Sequence, residues 1–271
     1  MLELHCHTTY SDGTLTPQEL VDRALAYGVR ALAITDHDTL SGWDEAIAAA
    51  DHRLEIVPGL ELSTVHNERS LHILGFYPDP ALLLPPLQER LAGRKRRAKA
   101  IAAKLAELGY PIELPPMGEG VAPARPHIAA ALVRAGHVQS NREAFDRFLQ
   151  DDGPAYVRYE KFSSVDGVHL LRSCHAVPVW AHPFLFRGGE VAEVLPELVA
   201  AGLMGLEVYH PSHTASEVRI LEALCQQYGL IKTGGSDYHG PPASGREETT
   251  LNSLRLPLDL LEPLQAARSI A

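Results

Sequence analysis

Histidine is in surplus: the 271-residue chain holds 14, against 6 Phe and 2 Trp. Imidazole is the commonest metal ligand and a proton carrier near neutral pH, so the spacing of these residues matters. His5-Cys6-His7 puts two imidazoles on one side of a strand, where they can chelate one cation, although a lone pair of this kind is more often two satisfied polar residues. Glu61 follows Pro58-Gly59-Leu60 amid apolar neighbours, and a buried carboxylate needs a cation or an arginine beside it. His72 alternates with Leu71 and Ile73, the spacing of an ordinary core or surface histidine. In Ala181-His182-Pro183 the proline ends a strand directly after the imidazole. Gly234-Gly235-Ser236-Asp237-Tyr238-His239-Gly240 offers two ligand types two residues apart on a glycine-rich path. Seven histidines (His5, His7, His37, His72, His182, His210, His239) with Asp12, Glu61 and Asp237 form a nitrogen and oxygen donor set that suits manganese, zinc or iron without thiolate. A set of about nine ligands makes two or three divalent ions the expectation, with manganese, zinc and iron all suited to it.

These residues need elements to position them. Leu2, Leu4 and Cys6 alternate with Glu3, His5 and His7, predicting a strand over 2–7. Thr16-Pro17-Gln18-Glu19 reads as a capping box that opens a helix ending at Gly28. A strand over 31–35 and a helix over 43–51 repeat the unit, and strands over 55–57, 59–65 and 71–76 follow. After Pro78 the pattern becomes helical over 82–108, loop-like to Pro126, then helical over 127–135 and 141–150. Strand and helix alternate again from Val165 to Thr233, and a last helix covers about 258–267. The fold class is α/β with a mainly parallel sheet, open or closed into a barrel. The expected division is 1–78 and 156–271 as the barrel, with a helical insertion over 79–155. In a barrel the polar strand ends meet on one face, where active sites are built.

Composition narrows the class of function. With 24 Lys and Arg against 34 Asp and Glu the net charge is -10, which argues against duplex nucleic acid or an anionic membrane as a partner. No apolar run nears the length of a membrane span, and the first residues lack the regions of a signal peptide, so the expected location is the cytoplasm. Cys6, Cys174 and Cys225 are scattered, and neither a disulfide framework nor a zinc ribbon is expected.

In their order along the chain, His5-Cys6-His7, Ser11-Asp12-Gly13, Thr35-Asp36-His37, Pro58-Gly59-Leu60-Glu61, His72, Ala181-His182-Pro183 and Gly235-Ser236-Asp237-Tyr238-His239 resemble the PHP-domain (polymerase and histidinol phosphatase) metal-dependent phosphoesterases. The resemblance spans nearly the whole chain. Arg125-Pro126-His127 and Glu207-Val208-Tyr209-His210 make it most similar to the bacterial branch that hydrolyses nucleoside 3',5'-bisphosphates and trims short RNAs from the 5' end. The resemblance implies a distorted (β/α)7 barrel with a trinuclear site. His5, His7, Glu61 and Asp237 would hold one ion; Glu61 would bridge to a second held by His72 and His182; Asp12, His37 and His239 would hold the third. Two departures stand out: Glu3 replaces the family's usual Asp, and Phe184-Leu185-Phe186-Arg187 differs from the family's loop.

The expected reaction is removal of the 3'-phosphate from a nucleoside 3',5'-bisphosphate, with trimming of short RNA, by a hydroxide held between two ions. Asp237 would orient that nucleophile, and His210 or His239 would serve as acid. Arg125 and the helix start at His127 would grip the uncleaved phosphate, joined by His210 and by one or two of Arg94, Arg97 and Lys99. Tyr159, Phe162, Tyr209 and Tyr238 are candidate base-stacking residues. Two further enzyme readings are an amidohydrolase, disfavoured by the lack of a bridging strand-end lysine, and a histidinol-phosphatase-like enzyme. A non-catalytic metal-binding module is the weakest. The sequence leaves the oligomeric state open.

Overall fold

The structure is a computed structural model that describes residues 1–117, 121–158, 162–241 and 250–268. Its first half repeats a strand and a helix: β1 (Leu2–Glu3), α1 (Pro17–Ala26), β2 (Ala31–Ile34) and α2 (Trp43–Ala50). The Thr16 hydroxyl accepts from the Glu19 amide at 3.2 Å while the Glu19 carboxylate accepts from the Thr16 amide at 2.8 Å, the reciprocal cap that starts α1. β3 (Glu55–His66) and β4 (Arg69–Phe76) form a hairpin, followed by α3 (Pro80–Glu107), α4 (Arg125–Arg134) and α5 (Asn141–Ala144). Alternation then resumes with α6 (Ser164–Ser173), β5 (Val177–Trp180), α7 (Val191–Ala200), β6 (Gly205–Tyr209), α8 (Ala215–Tyr228), β7 (Ile231–Gly234) and α9 (Leu261–Arg268). Among the described residues no helix is long and apolar enough to cross a membrane. All three cysteines are buried and unbridged.

The strands lie in sequence order in one seven-stranded sheet. They are parallel except that β4 runs antiparallel to both its neighbours, β3 and β5. The sheet curls into a nearly closed α/β barrel. Two expectations shift here. Residues 55–66 form one strand rather than two, because the first part pairs with β2 up to Pro58 and the second pairs with β4 from Gly59 onward. Regular pairing of the first strand ends at Glu3, and a bridge from Cys6 to Tyr238 continues it irregularly. Inside the barrel, Leu2, Leu4, Val57, Leu74, Phe76 and Val179 form a buried cluster against which α9 packs Leu261 and Leu264. Truncating a buried leucine of this kind costs about 2–5 kcal/mol.

Closest contact divides the chain into two units, Met1–Pro85 with Phe162–Ala271, and Pro86–Lys161. The division falls at Pro85-Pro86 within α3, where two missing amide donors weaken the helical ladder. The second unit has its own core of Ile101, Leu105, Ile128, Leu132, Phe148 and Leu149. A helix expected over 141–150 turns into a π-helical turn at Phe145–Leu149, which buries Phe148 and Leu149 together.

The barrel seam joins residues far apart in sequence. The Leu2 amide donates to the Leu256 carbonyl at 2.9 Å and the Leu4 amide to that of Gly234 at 3.3 Å. Between them the buried Glu3 carboxylate accepts from the amides of Ser236 at 2.6 Å and Asn252 at 2.9 Å. Burial outweighs these bonds and pushes the Glu3 carboxyl up to about 7. The folded state therefore holds this proton more tightly than the unfolded chain, so the contribution is fully present below the ordinary value of 4.5 and is lost as pH rises through about 7. Glu3→Ala strands two buried amides, each at about 1–3 kcal/mol. The variant should melt below wild type in the metal-free protein, by more near about pH 5 than near about pH 8. Equal melting temperatures would show that the seam does not depend on this side chain.

Candidate metal centre

The polar strand ends gather because parallel strands share a C-terminal end. His5 and His7 follow β1, His37 follows β2, His182 follows β5, His210 follows β6, and Asp237 and His239 follow β7. Glu61 lies within β3. The reversed strand β4 reaches the same end with its first half, and there His72 pairs with Ser63 and accepts from the Ala181 amide at 3.1 Å.

Glu61 is the meeting point. Its Oε2 lies 3.3 Å from His5 Nε2, 3.2 Å from His7 Nε2 and 3.2 Å from His37 Nδ1. Its Oε1 lies 2.7 Å from His72 Nδ1 and 3.1 Å from His182 Nε2. Asp237 Oδ1 closes the first group, 3.3 Å from His5 Nε2 and 3.1 Å from His7 Nε2. Asp12 stands 3.3 Å from His239 Nε2 and 3.8 Å from His37 Nε2. Among the described residues three groups could each hold an ion: His5, His7, Glu61 and Asp237; His37, Glu61 and His72; His7, Asp12, His37 and His239. His7 and His37 each fall in two of these groups, a sharing that the sequence did not suggest. In the first group His5 and His7 are at 0% and Glu61 at 1%, while Asp237 is 24% exposed and, in the third group, His239 is 36% exposed at the rim.

Two tight backbone paths set this geometry. A Cβ on Gly235 would sit 2.5 Å from the His5 backbone nitrogen, and one on Gly13 would sit 2.4 Å from the His7 carbonyl oxygen, so neither position admits a side chain. Asp237 and His182 adopt the left-handed conformation, with φ of 52° and 32°. Hydrogen bonds to the residues beside Asp237 hold it there: His7 donates to the Tyr238 carbonyl at 2.9 Å and Tyr238 donates to that of His5 at 3.3 Å. Such strain persists only where the surroundings fix it, and it clusters at functional sites.

Further carboxylates hold the ligands from behind. Asp36 accepts from the Thr8 amide at 2.7 Å and from the hydroxyls of Thr8 at 2.7 Å and Ser11 at 2.6 Å, fixing the turn that carries Asp12. Ser11 Oγ in turn lies 3.3 Å from His7 Nδ1. Asp38 accepts from the Ser63 amide at 2.9 Å, next to Glu61 on β3. Glu207, fully buried, contacts His5 Nδ1 at 3.0 Å. The sequence alone marks none of these as a support for the ligands, although Thr35-Asp36-His37 and Glu207-Val208-Tyr209-His210 carry part of the resemblance, and Asp36 and Asp38 flank His37.

Burial disfavours each charge here, yet the surrounding imidazoles hold the Asp12, Glu61 and Asp237 carboxyls well below the usual range. Burial also opposes charge on His7, but Asp237 and Glu61 outweigh it and raise that imidazole to about 10. His37 goes the other way, to about 3, because burial dominates. Nε2 of His5 and His7, Nδ1 of His37 and Oδ1 of Asp12 and Asp237 are buried and, among the described residues, make no hydrogen bond of acceptable geometry. Ionised oxygens and imidazole lone pairs converging without hydrogen bonds fit a divalent cation, and the donor set admits manganese, zinc or iron.

The remaining expected residues are placed less uniformly. His210 is buried with Nε2 3.8 Å from Asp237 Oδ2. In the second unit, Arg94, Arg97 and Arg125 line one small pocket. Arg125 is not a free grip, since it pairs with Asp151 at 2.7 Å and donates to the Leu149 carbonyl at 3.1 Å. His127 Nδ1 accepts from the Ala124 amide at 3.1 Å, so its ring caps α4. Lys99 is exposed and does not line the pocket. Tyr238 is fully buried and presents no open face to a base, while Tyr209 is partly buried and its hydroxyl donates to Glu222 at 2.8 Å. The Phe162 carbonyl accepts from Val65 at 2.9 Å, and Tyr159 lies outside the described residues.

The model of the PHP domain family matches residues 3–147. A 5'-3' exoribonuclease of Haemophilus influenzae is 34% identical over 88% of this chain and 90% of its own length. A 3',5'-nucleoside bisphosphate phosphatase of Chromobacterium violaceum is 33% identical over 91% of this chain and 90% of its own. A crystal structure named as a metal-dependent phosphoesterase from Bifidobacterium adolescentis superposes with a TM-score of 0.89 at 31% identity, covering 98% of this chain and 96% of that one. Agreement over the whole barrel, with the metal-capable cluster at its strand ends, establishes that the chain belongs to the PHP domain family and is a metal-dependent phosphoester hydrolase.

Proposed function

We propose that the chain removes the 3'-phosphate from nucleoside 3',5'-bisphosphates and trims short RNA from the 5' end. The observation that carries the chemistry is Glu61, one buried carboxylate shared by five imidazoles. The names of the relatives supply the substrate class; Arg125, which pairs with Asp151, would exchange that carboxylate for the second phosphate. His5, His7, His37, His72, His182 and His239 with Asp12, Glu61 and Asp237 would hold two or three divalent ions, manganese first. When bound, these ions neutralise phosphate oxygens and make water a competent nucleophile near neutral pH.

The chain's own groups divide the remaining work by tautomer. His239 Nδ1 faces the Asp237 carbonyl at 2.8 Å, which can only accept, so the proton is on Nδ1 and Nε2 is free to ligate beside Asp12. His210 is the reverse: the Ser212 amide donates to its Nδ1 at 3.2 Å, which keeps the proton on Nε2, the nitrogen nearest Asp237. His210 thus holds a hydrogen-bond donor in the site, for the transferred phosphate or the leaving oxygen, while His239 serves as ligand. Asp237 orients the attacking water and separates the two.

Phosphate release from a nucleoside 3',5'-bisphosphate with added manganese tests the reading directly. Wild type should release one phosphate per nucleotide, and Glu61→Ala should lose both turnover and bound manganese; an active Glu61→Ala protein would overturn the site. His210→Ala should lower kcat by about 10²–10⁴ while manganese content stays that of wild type, the size expected for loss of a positioned proton donor. Loss of metal instead would make His210 a ligand. Arg125→Ala should penalise the bisphosphate far more than para-nitrophenyl phosphate, with unchanged melting temperature as the control for its pairing to Asp151. Equal losses on both substrates would remove Arg125 from recognition.

A further inference from the structure

We propose that Glu207 is a positioning residue that fixes the proton of His5 on Nδ1, so that Nε2 faces the ion, and ties this ligand to the loop bearing His182. The inference rests on the reading of His5 as a metal ligand. Glu207 lies on β6 between Leu206 and Val208, and its side chain is buried among groups from two other strand ends. Its oxygens lie 3.0 and 3.2 Å from His5 Nδ1. One of them, Oε2, also accepts from the His182 backbone amide at 2.8 Å.

The geometry leaves little freedom. A carboxylate accepts only, so the nitrogen facing it must carry the proton. His5 Nε2 is then a lone pair, and it points at Glu61 and Asp237, 3.3 Å from an oxygen of each. The second bond acts on a residue that is strained: His182 has φ of 32° and precedes Pro183, and its amide is held only at Glu207 among the hydrogen bonds described. One side chain therefore sets the ring orientation of a ligand after β1 and the backbone of a ligand after β5. These two imidazoles stack with centroids 5.7 Å apart and an interplanar angle of 16°. Carboxylates behind ligating histidines fix tautomer and orientation, and losing one lowers metal affinity about 10–100-fold.

The experiment uses Glu207→Gln, because either orientation of the amide sets its NH2 against a donor: against His5 Nδ1 in place of Oε1, or against His5 Nδ1 and the His182 amide in place of Oε2. Zinc affinity is measured by competition with a chelator, alongside thermal melting and long-range proton–nitrogen spectra of the zinc-loaded protein. The expected result is a folded variant whose zinc affinity falls about 10–100-fold and whose His5 Nδ1 proton is lost or exchanges rapidly, against a protected Nδ1 proton in wild type. Wild-type zinc affinity in the variant, with the Nδ1 proton retained, would overturn the proposal. Should Glu207→Gln fail to fold, the wild-type spectrum decides: zinc bound through Nε2 with a protected Nδ1 proton supports the role, and zinc bound through Nδ1 refutes it. A wild-type protein that takes up no zinc or manganese would instead defeat the metal-centre reading itself.

Discussion

Three carboxylates, the buried Glu61 and the partly buried Asp12 and Asp237, gather at one end of the barrel, and the rest of the structure answers to their mutual repulsion. Removing such charges from water costs several kcal/mol each unless positive charge is brought to them. The surrounding imidazoles can supply it as protons, as the raised value of His7 shows, or can give up those protons and let metal ions supply it. Only the second state leaves lone pairs facing inward, and it explains why so many ring nitrogens sit within 3.3 Å of carboxylate oxygens without forming a proper hydrogen bond. The two states exchange protons for cations on a nearly fixed scaffold, so metal affinity and pH are coupled through the same side chains.

Fixing that scaffold falls to an outer ring of acceptors. Asp36, Asp38 and Glu207 bind backbone amides or hydroxyls of the segments that carry ligands. Glu3 does the same for the seam. Each aims at chain rather than at metal, so each constrains direction. The reversal of β4 fits the same logic: running antiparallel, it contributes His72 from its first half while its neighbours contribute from their ends.

Much of the inner ring was legible in the sequence because its members sit at the ends of short apolar runs. His5-Cys6-His7 and Asp237-Tyr238-His239 also carry the spacing of chelating pairs. The outer ring was not legible, since Glu207 and His5 are 202 positions apart and Glu3 and Asn252 are 249 apart. No local pattern encodes such pairs. Tyr238 shows the converse error: its neighbours face the site, and that alternation turns Tyr238 itself into the core. Pro58-Gly59 looked like a turn between strands, yet it marks where one strand passes from β2 to β4 as its partner. The shared use of His7 and His37 follows from the packing of rings 4.7 Å apart, which spacing along the chain does not reveal.

The seam has a consequence for how the protein is made. Its bonds join Leu2 to Leu256, Glu3 to Asn252 and His5 to Tyr238, so β1 pairs with β2 on one edge but closes on its other edge only against residues far along the chain. Contacts of such high sequence separation form late. Until then Asp12 and Glu61 have neither their barrel nor their full set of imidazoles, and both stay exposed to water. Only when Asp237 and His239 arrive can the first and third groups close, which couples capture of the ions to completion of the barrel.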